Sequence, residues 1–173
     1  MSSFKIEEVA NIVRDAGGKV VGRTRLQKIA YLLMATGLDD NFRFAYKHYG
    51  PFSEHLASSA KIGALLGRLN EEQYQAAWGG TYSTYTLDDA QGLDRSSARY
   101  QLASRSAEAD SIELELAATA VFLCYEGYTD PWDETAQRKP EKSTPQRLAN
   151  AKSLLGDLSK IEFPSPIPAL VLQ

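Results

Sequence analysis

The chain has 173 residues, 43% apolar and 24% charged, with one cysteine (Cys124) and two histidines (His48 and His55). That composition excludes a disordered chain, a fibre, a disulfide-stapled mini-protein and any multi-cysteine metal cage. The net charge of −3 is uneven: residues 1–70 hold ten Lys/Arg against six Asp/Glu, a net of +4, and the remainder nine against sixteen, a net of −7. A basic half either faces a polyanion or carries solvated charges, and the balance alone leaves both open. No apolar run reaches the ~18–20 residues of a membrane span. The first eight residues lack the apolar core of a leader. The expectation is a reduced, cytoplasmic protein with no membrane partner and no cofactor.

In chain order, Ile6, Val9, Ala10 and Val13 place a helix over residues 4–16, stopped by Gly17-Gly18. Lys19-Val20-Val21-Gly22 is short and β-branched, hence a small strand. A second helix is expected to begin at Thr24, with Gln27 completing a capping box, and to end at Gly37. Phe42 to Tyr49 alternates as an extended segment that Gly50-Pro51 breaks. Ser53 caps a third helix running towards Leu66 or Leu69. Tyr74, Ala76 and Trp78, then Tyr82, Thr84 and Thr86, read as a hairpin whose two-residue turn, Gly79-Gly80, needs positive φ at both positions.

Residues 88–109 are polar and small, and are expected to form a connector. Asp110 or Ser111 then caps a helix that is apolar around most of its girth and therefore central; Gly127 and Asp130-Pro131 end it. Thr144 with Pro145 opens the last helix. The tail, residues 163–172, mixes proline with apolar side chains. The expected fold is α+β and mostly helical. A winged-helix-like part (1–87) precedes the connector (88–109) and a helical extension with the apolar tail (110–173), all within one compact domain.

Two stretches carry more than composition does. One is Gly22-Arg23-Thr24-Arg25-Leu26-Gln27-Lys28-Ile29-Ala30-Tyr31-Leu32-Leu33; the other is Phe44-Ala45-Tyr46-Lys47-His48-Tyr49-Gly50-Pro51-Phe52-Ser53-Glu54-His55-Leu56. Together they resemble the YwgA-like family of small bacterial proteins. More distantly they resemble the Panacea (SocA-like) antitoxin domain, which shares a Leu-Gln-Lys…Tyr-Leu helix followed by a Tyr-Gly-Pro turn. The resemblance covers roughly residues 5–87. It implies a winged-helix-like fold without known catalysis and, for the Panacea domain, an association with toxin–antitoxin systems.

The residues themselves show no phosphate loop, no Gly-x-Ser-x-Gly and no His-Glu-x-x-His. Cys124 sits among apolar residues as a core thiol, and the two histidines fit surface or capping roles. The expectation is a non-enzymatic regulator. Arg23, Arg25 and Lys28 crowd one helix start, where cations oppose the helix dipole and a bound phosphate would relieve the conflict.

In a DNA-binding reading the helix opening at Ser53, with His55, enters the major groove. Arg23, Arg25, Lys28, Lys47 and Lys61 then meet phosphates, and Thr81 and Tyr82 stand at the wing tip. In the alternative the chain is a protein-interaction module, an antitoxin-like neutraliser or adaptor of a bacterial toxin–antitoxin or phage-defence system. Tail residues Ile167, Leu170, Val171 and Leu172 are expected to self-associate into a homodimer by strand exchange.

Overall fold

The computed structural model of the chain describes residues 3–88 and 91–173. Among these, seven α-helices and five short strands alternate in the order α1 (Ile6–Asp15), β1 (Lys19–Val21), α2 (Arg23–Ala35), β2 (Ala45–Lys47), β3 (Gly50–Phe52), α3 (Glu54–Leu65), β4 (Asn70–Gln75), β5 (Thr81–Thr86), α4 (Ala98–Glu108), α5 (Ser111–Tyr125), α6 (Pro131–Arg138) and α7 (Pro145–Leu158). A closing 3-10 turn spans Ala169–Leu172. The fold is a mostly helical α+β arrangement.

The strands form two antiparallel units. One is a three-stranded sheet in the order β1-β5-β4, the other a two-stranded β2-β3 ribbon. In the sheet, Val20 lies opposite Tyr85 and Tyr74 opposite Tyr82. The core is continuous from Val9 of α1 through Leu33, Leu56 and Leu102 to Leu155 and Val171, so both halves of the chain share it. At its centre lies α5, buried at every position from Leu114 to Val121. That follows from apolar side chains around most of its girth, with Glu115 and Thr119 as the buried polar exceptions.

Several elements depart from what the sequence pattern suggests. Helix α2 starts one residue before Thr24, on Gly22 (φ 99°), with no side-chain cap. Gln27 makes no capping box. Its amide instead accepts from Ser53 N (2.8 Å) and donates to Ser53 O (2.9 Å), binding α2 to the start of α3. Gly50-Pro51 does not break the extended segment but opens β3, which pairs back on β2. A Cβ at Gly50 would overlap the Thr119 hydroxyl, which is why glycine stands there.

The hairpin strand β4 ends at Gln75, so Ala76 and Trp78 lie outside it. Ala76 N donates to Gly80 O (2.7 Å), closing a three-residue loop, 77–79, in which Gly79 has φ 94°; Gly80 lies outside the loop and lacks positive φ. The expected connector contains α4, which buries Leu102 and Ala103 completely. Residues 89–90 of that connector lie outside the described residues. Asp130-Pro131 starts α6 rather than merely ending α5: the Asp130 carboxylate accepts from Asp133 N, with proline in the first turn.

Candidate functional site

The structure gives the nine residues proposed for DNA contact very different surroundings. Lys28 is 1% exposed. Its Nζ donates to Pro51 O at 2.8 Å, and burial pulls its pKa down to about 7, against the nearby Glu115 carboxylate, which favours the charge. It cannot reach a phosphate. Arg25 bends back onto backbone carbonyls: Nε donates to Val21 O (3.1 Å) and Nη1 to Ala107 O (3.3 Å) and Ala109 O (3.0 Å). Its guanidinium therefore caps the end of α4. Arg23 is exposed but paired with Glu71 at 3.0 Å. The crowd of cations at the start of α2 is thus satisfied within the chain. The conflict with the helix dipole that suggested an external anion is met by carbonyls and a carboxylate instead.

Ser53 is buried and caps α3 by accepting from Leu56 N. His55 lies half-buried, its Nε2 donating to Ser3 O at 2.7 Å and its ring edge-on to Phe42. Lys47 pairs with Glu54 at 3.1 Å. Lys61 is exposed on α3, and Thr81 and Tyr82 are exposed at the start of β5, where Tyr82 stacks on Tyr74 (centroids 5.6 Å apart). Only Arg23, Lys61, Thr81 and Tyr82 share an open face.

That face holds two grooves that meet at Arg23, Thr24, Tyr49 and Gln73. One, of about 760 Å³, runs between the hairpin loop and the starts of α2 and α5. The other, of about 780 Å³, lies between α2, α3 and β4. The second has a floor of Leu26, Phe52, Ala57, Ala60 and Tyr85, with buried Gln27 and Lys28 also reaching it, and Lys61 and the Arg23–Glu71 pair at its rim. The Tyr85 hydroxyl on that floor is pushed up to about 12 by burial, so it stays protonated.

Beneath the junction sits a charge cluster that no motif announced. Glu115, 3% exposed, accepts from Lys139 (3.0 Å) and Lys142 (2.9 Å). Lys139 also donates to His48 O, and burial lowers its pKa. The Lys142 ammonium lies 4.8 Å from the centre of the Tyr49 ring. The cluster fastens the β2-β3 ribbon to α5 and to the turn after α6, fixing Tyr49 where the two grooves join. Its trace in the sequence is Glu115 standing between Leu114 and Leu116 in the apolar part of α5.

The tail is docked on its own chain. Val171 is 0% exposed, Ile167 is buried, and Trp132 Nε1 donates to Val171 O at 3.0 Å. Leu170 and Leu172 remain partly exposed. The tail ends in a 3-10 turn rather than the extended strand that exchange between copies requires, because Ile167 and Val171 already have a pocket against α5, α6 and α7.

Among the described residues no helix is long and apolar enough to cross a membrane, and no group of three His, Cys, Asp or Glu side chains is placed to hold a metal ion. Compared with family models, curated proteins and solved structures, the chain matches none.

Proposed function

We propose that the chain is a non-enzymatic protein-interaction module on a winged-helix-like frame, and that a protein partner lays an apolar segment in the groove between α2, α3 and β4. The element order supports the frame: three helices, a three-stranded sheet in the order β1-β5-β4, and a terminal hairpin in the wing position. One observation carries the choice of partner. Of the five cations assigned to a duplex, Lys28, Arg25, Arg23 and Lys47 are engaged inside the chain and Lys61 stands exposed on α3, while the groove beside α3 offers a largely apolar floor with a polar rim.

The outer face of α3 presents Glu54, Ser58, Lys61 and Leu65, a single cation, where a helix reading a major groove needs several donors to bases and phosphates. An amphipathic helix or extended peptide fits such a groove by placing apolar anchors on the floor and polar groups at the rim. Adaptor and antitoxin-like neutraliser are both roles of this kind, in line with the Panacea-like Tyr49-Gly50-Pro51 turn at the groove's end.

The test is affinity capture with purified protein and its Ser58→Arg variant, which places a bulky cation at the groove wall without touching the core. The expected result is one stoichiometric protein retained by the wild type and lost by the variant. Equal retention by both, or micromolar saturable binding of a mixed-sequence duplex, would overturn the reading.

A further inference from the structure

Among the described residues, the sheet order β1-β5-β4 leaves the outer edge of β4 without a strand. Which backbone groups face that edge follows from the other side of the sheet. Gly22 N donates to Ser83 O and Leu87 N donates to Gly18 O, so the odd-numbered residues of β5 turn towards β1. Ala76 N donates to Gly80 O, so even-numbered residues bridge β4 and β5. Glu71, Gln73 and Gln75 therefore present their N–H and C=O groups outward, away from β5.

The three most exposed large apolar side chains of the described residues sit at the two ends of this edge. Leu65 (72%) and Leu66 (71%) precede β4, and Trp78 (77%) follows it. Leu65 and Trp78 line the grooves on the same face onto which Gln73 projects.

We infer that β4 pairs antiparallel with β4 of a second copy about a twofold axis through Gln73, joining two three-stranded sheets into one of six strands. The alternation of outward groups allows two registers that each pair five residues. Centring on Glu72 sets Glu72 opposite its own copy, a like-charge contact that destabilises a strand pair. Centring on Gln73 sets Glu71 opposite Gln75, Glu72 opposite Tyr74 and Gln73 opposite itself, with no like charges face to face.

In that register position 78 lies opposite position 68. Trp78 of one copy then packs on the Leu65–Leu66 corner of the other, twice over by symmetry, which is the self-complementary pattern a closed dimer needs. The second copy is thus selected by the charge register and by the apolar match at both ends. Leu65 and Gln73 also line the partner-binding groove, so the seam borders that groove, and the mass of the purified chain tests the seam without the partner.

Two measurements test it. The first is light-scattering mass at roughly 50 µM, a concentration at which a micromolar dimer is populated. The wild type is expected to give the dimer, and Gln73→Pro, which removes an outward N–H and leaves the β4–β5 bonds alone, the monomer with an unchanged far-ultraviolet spectrum. Trp78→Arg is expected to weaken the dimer at least tenfold. The second is oxidation in a Cys124→Ser background. Gln73→Cys is expected to cross-link to itself, while Gln75→Cys, about 13 Å from its copy by strand rise, does not. A monomeric wild type, a dimer that Gln73→Pro leaves intact, or equal cross-linking at both positions would overturn the proposal.

Discussion

Lys28 shows at the scale of one residue how a motif can be legible while its meaning is not. In sequence it is the third cation of a basic cluster; in the fold it is a buried amine held by Pro51 O. The unfolded chain keeps the Lys28 proton up to the ordinary lysine range, whereas the folded chain releases it near 7. Between those values the unfolded state binds more protons, so stability rises with pH. Unfolding free energy is therefore expected to climb from pH 7.5 to 9.5 by at most about 1.4 kcal/mol per pH unit from this group. Lys28→Met should flatten the climb, leaving the smaller contribution of Lys139, which has the same sign. Urea titrations across that range check it, and a slope identical in the variant would contradict it.

Arg25 makes the same point by geometry. Because its guanidinium caps the end of α4, Arg25→Ala is expected to cost roughly 1.5–3 kcal/mol of stability, the usual value of hydrogen bonds to a charged group. An unchanged urea midpoint would show that these carbonyls do not depend on it.

At the scale of elements, start signals were the most readable part of the chain. Ser53 and Thr144 cap the helices they announce, and Asp110 caps α5. Asp130-Pro131 carries the same signature as Thr144-Pro145, yet it follows Gly127 so closely that it reads as a stop. Helix α4 was opaque for a different reason: its buried face is Leu102, Ala103 and Ser106, too small and polar to show a helical period. Ser97, accepting from Tyr100 N, was its one local clue. Gln27 could not be read from sequence at all, since its partner Ser53 lies 26 positions away. Gln27→Leu strands the buried Ser53 N–H, while the Ser53 C=O keeps its bond from Ala57 N, so the change is expected to cost about 1–3 kcal/mol. Ser53→Ala, which loses only the side-chain cap, should cost about 1. Thermal melts of the two variants check that order; an equal or reversed ranking would mean the amide bridge is not what joins α2 to α3.

At the scale of the whole molecule, the tail's apolar character is plain in its composition, but the pocket that holds Val171 is built from helices that no local pattern brings together. Val171→Ala is expected to lose about 2 kcal/mol and lower the melting temperature by near 5 °C without altering the oligomeric mass. A drop in mass on this change would place the tail at an interface instead. The candidate site was legible only in part. Arg23, Lys61, Thr81 and Tyr82 do share a face, but the groove floor of Leu26, Phe52 and Tyr85 is assembled from three elements and carries no motif.

The groove between α2, α3 and β4 is proposed to take a protein. The most direct measurement is photo-cross-linking in cells of the source organism, with the reactive side chain placed at Ser58 on the groove wall or at Glu126, exposed beyond α5 and outside both grooves. One discrete cross-linked protein is expected from position 58 and none from position 126. Cross-links from position 58 to nucleic acid, or the same products from both positions, would contradict it.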